Sequence, residues 1–502
     1  MQNIYNLFDE HPIIPLTLAV VFVLMVIMKR RAERAQKTAV DIPSALSNRQ
    51  PEDPPNEQPA NALDTPLFHW TPRDPFRVRD LLNGGALILG RAGSGKTSSS
   101  GRTLMQAIVR NPQSGGLILA AKPEDIHDVV RIFKKADQLQ KLRIFEWDRE
   151  SRCNFLGCLK RPRDVVTFLT TMSEVMKRVD SKGGGDNNRF YDAQEERCIY
   201  NAVAALQAAK EPLTAPNIHK FIMTAATTPE QMMTAEWQAK YHSKVLDTGF
   251  EAEKNPLDEH DYKLCFDFWT KEWPGLMDHK TRGNILAGVQ GTLHNMNTGI
   301  VREMCSGETN FSPTDILAGK WLLVNFAPSA WGAAGQLISA GWKQLVELAI
   351  LERHAREDSP FITIWCDEAH GVTTVFDAVS FIPQCRSHKG CLVYLTQSVS
   401  SFYAALHGDA GKHQADALLA NFSHVIVHAS DPVTAKWASS KLGRKKEILS
   451  GGSSSPSADS TPFDMLYGNN HTSASFSEHY EQVLQDQEFM IGRTGGPDND
   501  FC

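Results

Sequence analysis

One stretch restricts this chain more than any other, Gly90-Arg91-Ala92-Gly93-Ser94-Gly95-Lys96-Thr97. It satisfies GxxxxGK[ST] and sits where that pattern has a mechanism, opening out of the apolar run ALILG (86–90) and before the helix-compatible SSSGRTLMQAIVR. Glycines at these spacings permit backbone angles and a close approach that turn successive N–H groups toward phosphate oxygens. Lys96 would reach the β- and γ-phosphates of a nucleoside triphosphate, and the Thr97 hydroxyl would ligate Mg²⁺. Gly90 through Thr97, together with Ser98, make up the expected binding turn. The competing reading is a glycine-rich turn with no ligand. The strand–turn–helix context favours the phosphate cradle.

Such a turn needs an acidic partner. Phe361-Ile362-Thr363-Ile364-Trp365-Cys366-Asp367-Glu368 is an apolar run ending in two carboxylates. Asp367 would hold Mg²⁺ through water and Glu368 would polarise the attacking water; the alternative is a loop acid or a helix N-cap. Asp64, Asp148 and Asp431 lack either the apolar lead-in or the second acid. The next apolar run, Cys391–Thr396, ends in Gln397-Ser398, and Gln397 is either an amide that senses the γ-phosphate or an N-cap or loop amide. Arg386, just ahead of that run, is either an arginine finger for a neighbouring subunit's nucleotide or a surface arginine. His370 has no His or Cys partner at metal-ligand spacing and reads as a loop histidine.

The surrounding pattern gives the fold class. LILAAK (117–122), RIFEWD (143–148), KWLLVNF (320–326) and HVIVHA (424–429) are further apolar runs of strand length alternating with amphipathic segments. That predicts an α/β fold with a parallel sheet covered by helices. From about 161 to 310 apolar residues recur every three or four positions with no convincing strand, which predicts an inserted all-α domain. With 52 Lys+Arg against 58 Asp+Glu the net charge is −6. A uniformly basic nucleic-acid coat is thereby excluded, while a local basic groove is not. Nine cysteines without a CxxC read as reduced thiols.

Pro12 to Met28 carries no charge and is followed by KRRAERAQK (29–37), with five basic residues against one acidic. By the positive-inside bias this predicts a transmembrane helix over 12–28, a short extracytoplasmic segment 1–11, and a cytoplasmic body. An uncleaved signal and a buried core helix are the alternatives. Eight of the chain's 26 prolines fall between Pro43 and Pro75, so 29–75 reads as a basic, then proline-rich, linker. SKGGGDNN (181–188) and GGSSSPSADSTP (451–462) read as loops.

Several segments together carry a resemblance. They are Lys122-Pro123-Glu124, Asn154-Phe155-Leu156, FSPTDILAGKWLLVNFAP (311–328), CDEAH, Arg386 followed by LTQS, Asn421 before HVIVHASD, and FMIGRTGG (489–496). In that order the chain resembles the conjugative coupling proteins of type IV secretion systems (TraG/TraD-like), relatives of the FtsK/HerA DNA pumps. The family's Asp-Pro-Lys-Gly-Glu reads Ala-Ala-Lys-Pro-Glu here, and its Asn-Pro-Leu reads Asn-Phe-Leu. The resemblance implies a RecA-like nucleotide-binding domain in two parts, 76–160 and 311–502, flanking the all-α domain at 161–310. It implies ATP and Mg²⁺ as cofactors, a homohexamer, and single-pass placement in the bacterial inner membrane. The implied cargo is DNA, a single strand bound by a relaxase, or effector proteins, passed to type IV secretion channel components. A double-stranded DNA pump and a non-translocating docking receptor are the alternative functions. Because the chain stops at Cys502, a cargo-recruiting acidic tail is expected to be short or absent.

Overall fold

A computed structural model describes residues 62–179, 189–252, 258–406, 410–455 and 471–491. Strands β1 (Pro66–Thr71) and β2 (Asp74–Arg77) form a small two-stranded sheet. The seven runs expected to be buried strands all become strands of one sheet. They are β3 (Ala86–Leu89), β4 (Ser114–Leu119), β5 (Leu142–Phe145), β6 (Trp321–Val324), β7 (Phe361–Cys366), β8 (Gly390–Thr396) and β9 (His424–Val427). Their order is β5-β6-β4-β7-β8-β3-β9, and every pairing is parallel.

Period-two alternation sends side chains to two covered faces, which is why these runs are apolar throughout. On one face Ile88, Ile118, Trp365, Val393 and Leu395 pack against Leu104, Ile108 and Phe133, from the helices Arg102–Arg110 and Asp125–Lys135. On the other, Leu87, Leu117, Ile364, Leu392 and Tyr394 meet the helix Pro328–Glu352.

Between β5 and β6 the described residues form helices and no strand. Local chemistry sets their starts. Thr214 accepts from the Asn217 amide with proline in the first turn, and Asp278 accepts from the amides of Lys280 and Thr281. The chain leaves the sheet and returns side by side, with the Cys153 amide donating to the Met304 carbonyl (3.1 Å) and the Phe155 amide to Cys305 (3.1 Å). One continuous core joins these helices to the sheet: Trp342 stands edge-on to Phe145 (5.2 Å) and Phe155 (5.6 Å). Each such ring pair contributes about 0.5–1.5 kcal/mol beyond its burial.

Two expectations are corrected. Residues 451–455 were expected in a loop but continue β10 (Arg444–Ser455), which pairs antiparallel with β11 (His471–Gln482). The pairing is made by backbone groups, and Gly and Ser side chains give it no apolar alternation to announce it. The expected inner-membrane placement is also withdrawn. No helix among the described residues is long and apolar enough to cross a membrane. The long helix Pro328–Glu352 buries Lys343 and Glu347 inside the fold rather than presenting a lipid-facing surface. The run 12–28, most of the linker, the loop 181–188 and the tail beyond 491 lie outside the described residues.

Candidate active site

The sheet's parallel order sets the site. β3 ends in the glycine-rich turn, β7 ends in Asp367-Glu368, and β8, lying between them, ends at Gln397. Three strand tips therefore point their polar residues at one place, the carboxyl edge where open parallel sheets bind ligands.

The turn has the shape a phosphate needs. Gly93 and Gly95 hold φ of 75° and 89°, which residues with a side chain adopt only under strain. A Cβ on Gly90 would come within 2.4 Å of Ser94 Oγ and 2.7 Å of His428 Cβ. The turn is pinned to its neighbours, since the Gly90 amide donates to the Thr396 carbonyl (3.2 Å) and Arg91 to Ala429 (2.9 Å). Ser94 is buried and its Oγ has no hydrogen-bond partner. The helix that follows opens wide, the Gly101 amide reaching back to the Lys96 carbonyl (2.8 Å).

Five of the expected residues converge. Thr97 Oγ1 donates to Asp367 Oδ2 at 3.0 Å, and Lys96 Nζ lies 3.6 Å from Glu368 Oε1. Gln397 Nε2 donates to that same Oε1 at 3.1 Å. Gln397 is therefore not the cap of the next helix; Ser398 is, accepting from the Ser400 amide. Glu368 holds a left-handed backbone, φ 48° and ψ 47°, and its side chain makes no capping bond. Burial raises the Asp367 carboxyl above its usual range, partly offset by Lys96, the Thr97 hydroxyl and the Glu368 amide. A hydroxyl and a carboxylate 3 Å apart beside an ammonium form an oxygen donor set that suits Mg²⁺. The orphaned Ser94 hydroxyl and the glycine cradle suit a phosphate chain.

Arg386 is not brought to this place. It precedes β8, and its Nη1 donates to Asn83 Oδ1 (2.9 Å), ahead of β3, at the opposite edge of the sheet. Asp431 caps the helix Pro432–Leu442 and Asp64 pairs with Arg79, so neither competes for the site. Arg91, Ala92 and Ser98 are exposed on the turn. Ser98 and Thr97 border a cavity of about 240 Å³ that also meets Asp125 and Asp128.

Two histidines join the site without having been expected there. His370 Nδ1 lies 3.2 Å from Thr396 Oγ1 and 3.6 Å from Glu368 Oε2, and burial lowers its pKa below the usual value. His428 Nε2 meets Ser100 Oγ at 2.7 Å, and burial lowers it too. The signal for His428 was its place at the tip of β9, the strand beside the glycine-rich turn. A second cavity, about 530 Å³, runs from Asp367, Glu368 and His370 to Arg178 and Ser339.

Residues 362–491 match the family model described as the TraM recognition site of TraD and TraG. No curated protein sequence matches the chain. Among solved structures, the bacterial conjugative coupling protein TrwBΔN70 in its unbound monoclinic form has a TM-score of 0.55 at 15% identity, covering 87% of this chain and 85% of that one. TrwB in complex with ADP and Mg²⁺ has a TM-score of 0.52 at 14% identity, covering 84% and 83%. TrwB with a non-hydrolysable ATP analogue gives 0.53 at 13%, covering 87% and 86%. The resemblance to TraG/TraD-like coupling proteins read from the motifs is borne out, and so is the α/β fold with its large parallel sheet.

Proposed function

We propose that this chain is the coupling ATPase of a type IV secretion or conjugation system, binding ATP with Mg²⁺ and hydrolysing it to move cargo toward the channel. The observation that carries the reading is the meeting of Lys96, Thr97, Asp367, Glu368 and Gln397 at the tips of three adjacent strands. The likeness to TrwB, solved with ADP and Mg²⁺ and with an ATP analogue, supports the same ligands here. The domain division stated above, 76–160 with 311–502 around 161–310, is part of the proposal.

In this reading the amides of Gly90–Lys96 and the Lys96 ammonium bind the phosphates. Thr97 and Asp367 would hold Mg²⁺, which supplies positive charge against the phosphate oxygens when bound. Glu368 orients the attacking water and accepts its proton. Gln397, on Glu368 Oε1, keeps that carboxylate turned toward the phosphate side and reports its movement to the helix beginning at Val399.

Arg386 acts, if it acts on nucleotide, on that of a neighbouring subunit, because in its own chain it stands at the far edge of the sheet. That placement supports a ring, a hexamer by the resemblance, in which a trans guanidinium contributes about a thousandfold or more to the rate. DNA, with a relaxase or an accessory protein of the relaxosome, is the proposed cargo, and the match to a TraM recognition segment supports that partnership. With a net charge of −6, DNA affinity must come from basic groups repeated around a pore.

ATP turnover measured against protein concentration, with and without single-stranded DNA, tests the proposal. Turnover per chain should rise with both. Turnover that is indifferent to both would favour a nucleotide-switched docking receptor; stimulation by duplex alone would favour a double-stranded DNA pump.

A further inference from the structure

The turn that carries Glu368 is held from several sides, and one hold comes from outside the sheet. Thr373 Oγ1 bonds back to the Ala369 carbonyl (2.8 Å), and Gln336, on the helix Pro328–Glu352, donates to the Gly371 carbonyl (2.6 Å). Past the turn, Thr374 is fixed by Asp377, whose carboxylate also meets Lys343 and the Tyr394 hydroxyl. The remaining hold is Arg178, the penultimate residue of the inserted helix Pro162–Val179, whose Nη1 donates to the Thr373 carbonyl at 2.5 Å.

Two further observations set Arg178 apart from an ordinary surface cation. Its Nε is buried and has no hydrogen-bond acceptor, so part of its desolvation is not offset by bonding. It also lines the same 530 Å³ cavity as Asp367, Glu368 and His370. Glu368 meanwhile keeps a left-handed backbone, which a non-glycine residue holds only where its surroundings fix it.

We propose that Arg178 is a positioning residue that ties the inserted helices to the hydrolytic turn, holding Gly371–Thr374 so that Glu368 stays presented to the phosphate side. The inference rests on the hydrolytic reading of Glu368 given above. Its helix packs along Pro328–Glu352, with Gln344 Nε2 donating to Thr171 Oγ1 (3.1 Å) and Phe168 close to Gly341. A shift of the inserted helices along that contact pulls on the Thr373 carbonyl and alters hydrolysis without touching the nucleotide-binding turn.

Two measurements on the full-length chain test this. In steady-state kinetics Arg178→Ala should lose about tenfold in kcat, on the order of 1.4 kcal/mol, with KM for ATP and thermal midpoint unchanged. Arg178→Lys, which keeps one donor, should recover part of the loss. Hydrogen–deuterium exchange reads the clamp without any hydrolysis. In Arg178→Ala the peptide spanning 369–374 should exchange faster while β7 does not. Unchanged exchange, or an unchanged kcat in a protein whose turnover depends on Lys96, overturns the proposal. A joint fall of kcat, KM and melting temperature that Lys does not rescue also overturns it, leaving a structural role. Absence of any Lys96-dependent turnover in the unaltered chain sinks the ATPase reading instead, and the exchange result then decides the clamp alone.

Discussion

Lys96 Nζ stands 3.6 Å from Glu368 Oε1, so the ammonium assigned to the phosphates and the carboxylate assigned to the water are within ion-pair reach. Gln397 shares that oxygen, and His370 approaches the other one. The glycine-rich turn and the acidic strand tip are thus in direct contact, and their substitutions should not be independent.

A double-mutant cycle measures this. Lys96→Ala should lower ATP turnover at least about a hundredfold, close to 2.7 kcal/mol of transition-state stabilisation. The double variant with Glu368→Gln should lose far less than the sum of the two single losses, because residues in contact couple. Full additivity in turnover rates would show that the two act separately.

The buried cluster behind the sheet gives a stability prediction. Lys343 and Glu347 are buried on Pro328–Glu352, and Lys343 pairs with Asp377, itself bonded to Tyr394. Lys343 Nζ lies 2.8 Å from Glu347 Oε1 but off the hydrogen-bonding direction. Burial, with Asp377 nearby, drives the Glu347 carboxyl well above its usual range, and Lys343 opposes that shift. Lys343→Met should cost about 3–5 kcal/mol in urea denaturation, since it strands a charge in the core. Glu347→Gln should cost less than Lys343→Met, because burial already disfavours the charged form of that carboxyl and the amide keeps its shape. A larger loss from Glu347→Gln than from Lys343→Met would contradict this.

His242 sets an acid limit on the inserted helices. Its ring stacks on Phe221 (4.1 Å) with Nδ1 2.9 Å from the Phe221 carbonyl, and burial pushes its pKa down to about 4, that carbonyl opposing. The folded value lies below the unfolded one, so the unfolded chain binds the extra proton between about pH 6.5 and 4. The contribution is complete above that window and is lost as pH falls through it. From pH 7.5 to 5 the loss should be about 2 kcal/mol, and His242→Phe should abolish that part of the pH dependence. Equal pH profiles for the two proteins would contradict the assignment.

Assembly is tested through Arg386. Arg386→Ala should leave ATP binding intact while suppressing the concentration-dependent part of turnover by about a thousandfold, as expected of a trans guanidinium. Sedimentation should show oligomerisation unchanged. Loss of ATP binding in this variant would place Arg386 in its own subunit's site, against its bond to Asn83.

Much of this was legible because a parallel sheet writes its strands as apolar runs. All seven strands, and the polar residues that end β3, β7 and β8, could be read without the structure. Each residue named from the sequence that the structure brings to the site lies at the end of such a run, whereas Arg386 lies ahead of one. Arg178 and Ser339 had no such marker, because they come from helices, and only the packing brings them to the site; His428 ends the run at β9, but its strand's place beside the glycine-rich turn shows only in the sheet. His370 was visible, but metal-ligand spacing was the wrong test for a residue that acts by contact with Glu368 and Thr396. The hairpin β10–β11 was hidden because charged residues pair at its base and Gly and Ser toward its tip, which leaves no apolar alternation to mark it. The uncharged run at 12–28 was plain in composition, yet composition alone does not place a chain in a membrane.

Asp367 and Thr97 are proposed to hold the metal while Glu368 serves the water, and one measurement separates these roles. ATP binding and ATP turnover are measured side by side for the full-length chain and for Glu368→Gln, with Mg²⁺ and single-stranded DNA present. Glu368→Gln should bind ATP as tightly as the unaltered chain and turn it over at least about a hundredfold more slowly. A Glu368→Gln protein that hydrolyses ATP at the unaltered rate would contradict it.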